Sequence, residues 1–390
     1  MAKKIGILTG GGDVPGLNSV IKSVVYGATN HGFEVVGIRR GWKGLTHANW
    51  QNGRDTDYFL DLDRINTRTI DRTGGTFLHS SRTKPSKMKV KDAPPHLENG
   101  LGKLKEVSSG VVDMTPVVME NLERLGLDYL VPIGGDDTLS YADRLNHEGF
   151  PMICVPKTMD NDVRNTEYCI GFTTALTRAV DNIGRQRTTV GSHERIGIFR
   201  IFGRDAGFTA LYTAYVTNLR CCIPEHPFDL DKLIDLLVTD RKNNPSQYSM
   251  VVLSEGATWL GREVSEYGEA DAYGHRKKVN VGEAFSDEIK KRAGLETVVS
   301  DLTYDLRGGE PVFFDKMVAT TFATMAVECM LAGDSGKMMA IQNGCYAIAD
   351  LPDASKGPRS VDVETMYNVD RYRPNYGHKT GLPVFMTRSE

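Results

Sequence analysis

The sequence of 390 residues has few cysteines, little net charge and no long apolar segment. Its six cysteines are dispersed without a C-x-x-C pair, which argues against a zinc site or a disulfide framework and predicts buried, reduced thiols. A formal net charge of -3 gives no field that would favour nucleic acid or a membrane surface. No apolar run reaches the roughly 18 residues of a membrane span, and the N-terminus MAKKIGILTGGG lacks the apolar region of a signal peptide. We therefore expect a cytoplasmic protein without a nucleic-acid or membrane partner.

Glycine is abundant, with 40 residues, many of them in clusters that follow apolar runs. The length favours two or three domains. The first unit has a strand at Lys4–Thr9, a helix with apolar spacing at Leu17–Thr29 and a strand at Glu34–Arg39. This βαβ order predicts an α/β fold with a parallel sheet and helices on its faces.

The same pattern recurs along the chain. Further strands are predicted at Tyr129–Ile133, Met152–Val155, Arg195–Ile201, Tyr248–Leu253 and Met338–Gln342, with helices at Met119–Leu125 and Leu139–His147. The strands from residue 195 to 253 are expected to form a second, similar layer. Residues 84–103 are rich in Lys and Pro and are predicted to be a mobile loop, and the tail after residue 350 is expected to pack as an extended arm.

Ligands of open α/β sheets lie beyond the carboxyl ends of the strands, and in this chain those ends carry glycines and carboxylates. The segment Gly10–Gly16 could bring backbone N–H groups to a phosphate, although it is neither a Walker A loop nor a clean G-x-G-x-x-G, so a tight turn fits it equally well. In IGGDDT, Asp136 could hold Mg²⁺, while helix N-capping by Asp137 or Thr138 is the alternative.

The segment PKTMDND (156–162) directly follows an apolar strand. Asp160 and Asp162 are separated by one residue, so one carboxylate could take the proton of an attacking hydroxyl while the other orients it. Lys157 adds a cation suited to phosphoryl oxygens. The alternative is a solvated, Asx-rich loop. Three arginines, Arg195, Arg204 and Arg307, lie beside apolar or glycine residues, and for each of them a salt bridge and a phosphate contact are equally plausible.

These motifs together resemble the phosphofructokinase family of the glycolytic type. The resemblance runs from Lys4 to about Asn343, and its segments follow in the family's order: ILTGGGDVPGLN, GGTFLHSSR, IGGDDT, PKTMDND, IGF, SHERIGI, FGRDAG, SEG, LRGG and AIQNG. The GGD motif alone would also fit NAD kinases and lipid kinases. The resemblance implies two Rossmann-like three-layer domains with the active site in the cleft between them, Mg²⁺ as cofactor, and a homodimer or homotetramer.

The resemblance also implies a division into domains. A larger phosphoryl-donor domain would comprise residues 1–172 with about 306–335. A smaller sugar-phosphate domain would comprise residues 173–305 with about 336–390.

The family's functional positions fall on named residues of this chain. The implied catalytic residues are Asp160 as the base, Asp162, Lys157 and Arg204, with Asp136 as the metal ligand. The implied donor contacts are Gly11, Arg82, Gly135, Asp137 and Thr138. The implied contacts to the sugar phosphate are Thr158, Phe202, Gly203, Glu255 and, at its terminal phosphate, Arg195, Tyr304 and Arg307.

Two positions indicate which phosphoryl donor the protein uses. ATP-dependent bacterial members usually have GGDG and PGTIDND, where this chain has Asp137 and Lys157. A carboxylate at 137 would repel the α-phosphate of a nucleotide, and an ammonium at 157 would help to neutralise free pyrophosphate. The resemblance is therefore to the pyrophosphate-dependent branch.

Departures near Arg307 leave the acceptor open. The arginine with which family members usually reach a neighbouring subunit's sugar phosphate is Val298 here, the histidine is Tyr304, and Asp301 and Asp305 add negative charge. Loss of one charge-assisted contact costs about 1.5–3 kcal/mol. Weak binding of fructose 6-phosphate, or another sugar, sugar phosphate or polyol as acceptor, would follow.

The leading hypothesis is a Mg²⁺-dependent, reversible, pyrophosphate-dependent 6-phosphofructokinase. The alternatives are an ATP-dependent enzyme and a pyrophosphate-dependent kinase of another acceptor. A non-catalytic subunit that binds sugar phosphate is disfavoured because Asp136, Asp160, Asp162 and Arg204 are all present. A dehydrogenase is disfavoured because no clean dinucleotide fingerprint follows the first strand.

Overall fold

The computed structural model describes residues 3–262, 266–267, 277–278, 280–377 and 379–385. Its strands are β1 (Lys4–Thr9), β2 (Glu34–Ile38), β3 (Phe59–Leu62), β4 (Met88–Lys89), β5 (Glu106–Ser108), β6 (Val111–Val112), β7 (Tyr129–Gly134), β8 (Ile153–Pro156), β9 (Ile196–Ile201), β10 (Arg220–Cys222), β11 (Ser249–Ser254), β12 (Glu266–Tyr267), β13 (Lys277–Lys278), β14 (Thr297–Leu302), β15 (Lys337–Gln342), β16 (Cys345–Asp350), β17 (Tyr367–Asn368) and β18 (Arg373–Pro374).

Twelve α-helices occur in the same ranges. They are α1 (Leu17–Asn30), α2 (Trp42–His47), α3 (Glu98–Leu101), α4 (Thr115–Leu125), α5 (Asp136–His147), α6 (Phe172–Ser192), α7 (Phe208–Thr217), α8 (Leu230–Asn243), α9 (Val281–Ala293), α10 (Tyr304–Arg307), α11 (Phe313–Ala332) and α12 (Val363–Met366). Short 3-10 turns lie at Ile70–Arg72, Pro85–Lys87, Val90–Asp92, Pro95–Leu97 and Ala354–Lys356.

A seven-stranded sheet with the order β16-β15-β8-β7-β1-β2-β3 forms the larger domain. Its central strands are parallel, and its two edge strands, β3 and β16, are antiparallel to their neighbours. β7 is buried along its whole length, as expected for a parallel strand covered by helices on both faces. The predicted first unit is confirmed, because β1 and β2 pair in parallel and are joined by α1.

A second sheet, with the order β10-β11-β9-β14, is parallel throughout and forms the smaller domain. The predicted second layer is therefore confirmed, and with it the α/β fold of two Rossmann-like domains. One buried apolar cluster runs through both domains, from Ile5 and Val131 in the large sheet to Ile198 and Val251 in the small one.

One part of the predicted domain division is wrong. Residues 336–390 were assigned to the smaller domain, but β15 pairs with β8 and β16 pairs with β15, so residues 337–350 complete the larger sheet. The apolar strand at 338–342 is as suitable for one sheet as for the other, so its pattern could not decide between them. The other boundaries stay predictions, and residues 386–390 with most of 263–279 lie outside the described ranges.

The segment predicted to be a mobile loop contains regular structure. β4 and β5 both pair with β6, and this small antiparallel sheet is built on a core of Met88, Leu101, Val112 and Met114. The tail after residue 350 packs against the smaller domain, where the hydroxyl of Tyr367 donates to the backbone oxygen of Cys221 over 2.6 Å.

Five of the six cysteines are buried and Cys345 is exposed; none of the six forms a disulfide. In the described ranges, no helix has both the length and the apolar composition of a membrane span.

Candidate active site

The loops that follow β1, β7, β8, β9 and β11 line one cleft of about 440 Å³. Fifteen of the seventeen predicted site residues line it: Gly11, Arg82, Gly135, Asp136, Asp137, Thr138, Lys157, Thr158, Asp160, Asp162, Phe202, Arg204, Glu255, Tyr304 and Arg307. The two that do not are Gly203 and Arg195. The carboxyl ends of strands from both sheets therefore meet at this cleft, as expected for open α/β sheets.

The glycine loop (10–16) is held in place by a buried cation. The Lys157 Nζ donates to the backbone oxygens of Gly10, over 3.0 Å, and Gly12, over 2.6 Å. Since an ammonium has three N–H groups, one remains for a ligand in the cleft. Burial, with the neighbouring Arg307 as a further cause, lowers the pKa of Lys157 to about 7.

Two arginines lie beside the same loop. The Arg307 Nη1 donates to the backbone oxygen of Asp13 over 2.9 Å, and its guanidinium stacks 4.5 Å from the ring centre of Phe202. A Cβ added to Gly12 would lie 2.5 Å from that Nη1, so the guanidinium needs a glycine at this position. Arg82 follows Ser81, whose backbone oxygen accepts from Gly11 N over 3.1 Å. These contacts form a cationic wall next to the glycine loop.

Asp136 and Asp137 open helix α5, whose N-cap residue is Gly135. Asp137 and Thr138 therefore lie inside the helix, and the N-capping alternative is not realised. Burial first, and then the neighbouring Asp137, raise the pKa of Asp136. Thr138 is buried. The carboxylates at this helix N-terminus line the cleft, where a cation would offset their mutual repulsion.

The acidic loop (158–162) carries two carboxylates whose environments disfavour charge. Burial and then the neighbouring Asp162 raise the pKa of Asp160, and burial also raises the pKa of Asp162. Within the described ranges, the Asp160 Oδ1 is buried without a hydrogen-bond partner. Such an oxygen is expensive unless a ligand supplies the partner, so the solvated-loop alternative does not hold.

A left-handed residue shapes the acidic loop. Asn161 has φ 56° and no exposed surface. Its Nδ2 donates to the backbone oxygen of Glu167 over 2.9 Å, and its Oδ1 accepts from Cys169 N over 2.8 Å. Asparagine tolerates this conformation, and the two hydrogen bonds hold the turn between the two aspartates.

The smaller domain supplies the opposite wall. Gly203 has φ 126°, and its backbone oxygen accepts from the Ser254 Oγ, over 2.7 Å, and Gly256 N, over 2.9 Å. A Cβ there would lie 2.3 Å from the Ser254 Oγ, so this glycine supports the wall from behind rather than lining it. The turn presents Arg204 to the cleft.

Glu255 lines the cleft next to an ion-pair network. The Arg200 Nη2 lies 3.5 Å from the Glu255 Oε1, and the Arg200 Nη1 lies 2.8 Å from the Asp301 Oδ1. The negative charge that Asp301 adds to the sequence is therefore compensated within the chain. Asp301 is not an uncompensated repulsive charge against a sugar phosphate.

Arg195 does not join the other predicted residues in this chain. It precedes β9, whereas the cleft lies after the other end of that six-residue strand, about 20 Å away. Its substrate contact stays a prediction and would have to be made in the cleft of another copy of the chain. Tyr304, 82% exposed, lines the cleft at the start of α10.

The carboxylates suit one mode of metal binding. Within the described ranges there is no group of three or more His, Cys, Asp or Glu residues placed to cage an ion. Mg²⁺ at phosphoryl-transfer sites takes only one or two carboxylates and completes its shell with phosphate and water. Asp136 in the cleft, beside Asp137, fits that requirement, and the metal would depend on the phosphate donor.

Sequence reasoning missed several residues of the cleft. Gly12 and Val14 belong to the glycine loop, Asp205 follows Arg204, and Pro358 comes from the C-terminal tail. The first three adjoin motifs already recognised, so their position in a strand-end loop was a usable signal. Pro358 has no such signal, because no motif surrounds it.

Comparisons with known proteins show which proteins the chain is similar to. The family profile described as "Phosphofructokinase" matches residues 4–330. The "ATP-dependent 6-phosphofructokinase 3" of Streptomyces coelicolor is 36% identical over 361 residues, which cover 92% of this chain and 96% of that protein. The "Pyrophosphate--fructose 6-phosphate 1-phosphotransferase" of Amycolatopsis methanolica is 36% identical over 365 residues, which cover 93% of this chain and 97% of that protein.

A solved structure shares the fold. The pyrophosphate-dependent phosphofructokinase from Nitrosospira multiformis superposes with a TM-score of 0.77 at 18% identity, covering 100% of this chain and 93% of that one. The relatives include both donor types at equal identity, so similarity alone does not choose the donor.

Proposed function

The chain belongs to the phosphofructokinase family, and on this basis we propose that it is a pyrophosphate-dependent 6-phosphofructokinase. Membership makes it a phosphotransferase with an alcohol group as acceptor. The proposed reaction is the reversible conversion of fructose 6-phosphate and pyrophosphate to fructose 1,6-bisphosphate and phosphate. The observation that carries the proposal is that Asp137 and Lys157 line the same cleft as Asp160.

Asp160 is the proposed general base. Its Oδ1 has no protein partner among the described residues, and its raised pKa matches a group that accepts a proton near neutral pH. The attacking hydroxyl oxygen bonds to phosphorus, its proton passes to Asp160, and the bridging P–O bond of the donor breaks. Thr158 supports this loop, because its Oγ1 accepts from Asp160 N over 3.2 Å.

The cationic wall is proposed to bind the phosphoryl groups. Lys157 has one N–H left after its two backbone contacts, and Arg82 and Arg204 line the same cleft. Preorganised cations of this kind stabilise charge on the transferring group without reorganising during the reaction. On the sugar side, Glu255 is proposed to accept a sugar hydroxyl, and Arg307 with Tyr304 to hold the terminal phosphate.

Mg²⁺ is part of the proposal, held by Asp136 together with phosphate and water. When bound, it would neutralise charge on the phosphoryl oxygens. The two adjacent carboxylates at 136 and 137 would otherwise repel any phosphate donor.

Pyrophosphate is favoured over ATP by the charges that line the cleft. Asp137 lines the cleft, and its carboxylate would repel the α-phosphate of a nucleotide, a group that pyrophosphate lacks. Lys157 supplies the charge that a free terminal phosphate needs. ATP remains the alternative donor, since the ATP-dependent relative is equally similar.

Fructose 6-phosphate is the proposed acceptor, with another sugar, sugar phosphate or polyol as the alternative. Val298 lies in β14 and packs against the core, so it offers no charge to a phosphate. Arg307 remains in the cleft, and Arg200 compensates Asp301. A homodimer or homotetramer is proposed as well, because Arg195 could reach a sugar phosphate only in another subunit.

A matrix of donors and acceptors tests the proposal. Purified protein with Mg²⁺ is assayed with pyrophosphate or ATP against fructose 6-phosphate and a panel of sugars and polyols. We expect turnover of fructose 6-phosphate with pyrophosphate. Asp137→Gly should shift the ATP-to-pyrophosphate ratio of kcat/KM toward ATP by about tenfold, equivalent to roughly 1.4 kcal/mol.

Asp205→Asn is the matched control, because it neutralises another carboxylate of the cleft and should leave the donor ratio unchanged. Wild-type preference for ATP, or an unchanged ratio in Asp137→Gly, would contradict the donor assignment. Turnover of a different acceptor without fructose 6-phosphate would support the alternative kinase.

A further inference from the structure

The strap, residues 358–361, lies outside the range 4–330 matched by the family profile and yet reaches the active site. Pro358 lines the cleft. The next residue, Arg359, is only 5% exposed. A buried arginine is costly unless its N–H groups serve a purpose, so its contacts indicate what the strap does.

Arg359 binds the acidic loop through both its backbone and its side chain. Its backbone N donates to the backbone oxygen of Asp162 over 2.6 Å. Its Nη2 donates to the backbone oxygens of Asn161, over 2.7 Å, and Glu167, over 3.3 Å. These carbonyls belong to Asn161 and to residues that follow it, so one arginine holds the turn that separates Asp160 from Asp162.

Two further features keep Arg359 in this position. Its guanidinium stacks 4.4 Å from the ring centre of Phe208, the first residue of α7. Its charge also acts on the acidic loop, because Asp162 is among the groups that raise the pKa of Arg359 against the lowering effect of burial. The attraction is mutual, so the arginine favours the ionised form of Asp162.

The other end of the strap is bound to the opposite wall. Val361 N donates to the Glu225 Oε1 over 2.8 Å, and the same oxygen accepts from Gly207 N over 2.9 Å. Gly207 ends the turn that carries Arg204. Glu225 thus joins the strap to the loop of the smaller domain, while Arg359 joins it to the loop of the larger domain.

We propose that the strap sets the distance between the acidic loop and the Arg204 turn, with Arg359 as a positioning residue for Asp160. The inference rests on the proposed function in one respect, the role of Asp160 as base. Arg359 touches no reacting atom. It acts by holding the backbone on which the reacting carboxylate stands.

The test compares Arg359→Met, Arg359→Lys and the control Arg373→Met, each assayed with the substrates that the wild-type enzyme uses best. Arg359→Met should lower kcat by about 10- to 100-fold, the loss typical of a misplaced catalytic group, with both KM values within about threefold. The acid limb of its pH–kcat profile should move to higher pH, because removing a neighbouring cation raises carboxylate pKa values further. Arg359→Lys keeps the charge, so the acid limb of its pH–kcat profile should lie at the wild-type pH, while kcat recovers only in part.

Arg373 also ties the tail down, but through Asn218, whose backbone oxygen accepts from its Nη1 over 2.8 Å. Arg373→Met should therefore change thermal stability without changing the pH profile.

The proposal is overturned if the folded Arg359→Met and Arg359→Lys proteins keep wild-type kcat and pH profile, or if activity falls only as the folded fraction falls. If Arg359→Met does not fold, the kcat of Arg359→Lys decides alone: a value below that of the wild type supports the proposal, and the wild-type value overturns it. If Asp160→Asn keeps wild-type turnover, the assignment of Asp160 as the base is wrong, and that result does not bear on the contacts of the strap.

Discussion

The glycine loop and the acidic loop both follow strands of the larger sheet, but the protein satisfies their polar atoms differently. In the glycine loop, the backbone oxygens of Gly10, Gly12 and Asp13 accept from Lys157 and Arg307. In the acidic loop, the backbone is held from behind, and the Asp160 Oδ1 has no partner in the described ranges. The protein itself therefore fixes the two cations, whereas it leaves this carboxylate oxygen available to a substrate.

Burial shifts the pKa values of Lys157, which holds the glycine loop, and of Asp160 in the acidic loop in opposite directions. It lowers the pKa of Lys157 to about 7 and raises the pKa of Asp160, so both groups are destabilised in their charged forms. In the proposed reaction, a phosphate donor would favour the charged form of Lys157, and the hydroxyl of the acceptor would donate to Asp160. Binding of the two proposed substrates would therefore stabilise both groups.

The largest effect is expected from Asp160→Asn, which removes the reactive carboxylate and keeps its shape. Since general bases contribute about 10²- to 10⁴-fold, kcat should fall by that factor while the KM values stay near those of the wild type. The stability of the fold should not decrease, because burial already disfavours the charge at this position. Steady-state kinetics with Asp205→Asn as the matched control measure this, and an unchanged rate would remove Asp160 from the role of base.

Both loops could be predicted from the sequence because each directly follows an apolar strand along the chain. The carboxyl ends of parallel strands must meet at one edge of a sheet, so the residues after β1, β7 and β8 could be assigned to one site before any coordinates. The same rule separates Arg195 from this edge, because the predicted strand at 195–201 begins with that residue. In the structure it directly precedes the amino end of β9, and its contact with a sugar phosphate stays a prediction.

The support behind the acidic loop could not be predicted in this way. Arg359 is 198 residues from Asn161, and no periodicity or motif joins them. The domain boundary failed similarly, because β15 returns to the large sheet after the chain has built the small one. Contacts that depend on the path of the whole chain leave no local pattern, whereas turns at strand ends do.

A second, smaller effect should come from Lys157→Met, which removes the charge that holds the glycine loop and faces the donor. Below pH 7 the wild-type lysine is charged, and its lost contact of about 1.5–3 kcal/mol should weaken pyrophosphate binding by roughly 10- to 100-fold. Above pH 7 the free wild-type lysine loses its proton, so the variant-to-wild-type ratio of dissociation constants should fall toward one by about pH 9. Ionisation of pyrophosphate cancels in that ratio. Calorimetric titration between pH 6 and 9 measures it, and a ratio that stays constant would show that the charge of Lys157 does not bind the donor.

The smallest effect is expected from Gly12→Ala, because it displaces a side chain without removing a charge. The added Cβ would stand 2.5 Å from the Arg307 Nη1, so the guanidinium must shift away from Asp13 and from the ring of Phe202. Arg307 is proposed to hold the acceptor's phosphate, so the acceptor KM should rise by about threefold to tenfold, a part of one charge-assisted contact, while kcat stays unchanged. Gly184→Ala, where an added Cβ meets nothing within 4 Å, is the matched control and should leave both constants as they are. A fall in kcat at constant KM would instead place Arg307 with the reacting groups, and the division between a binding glycine loop and a reacting acidic loop would then be wrong.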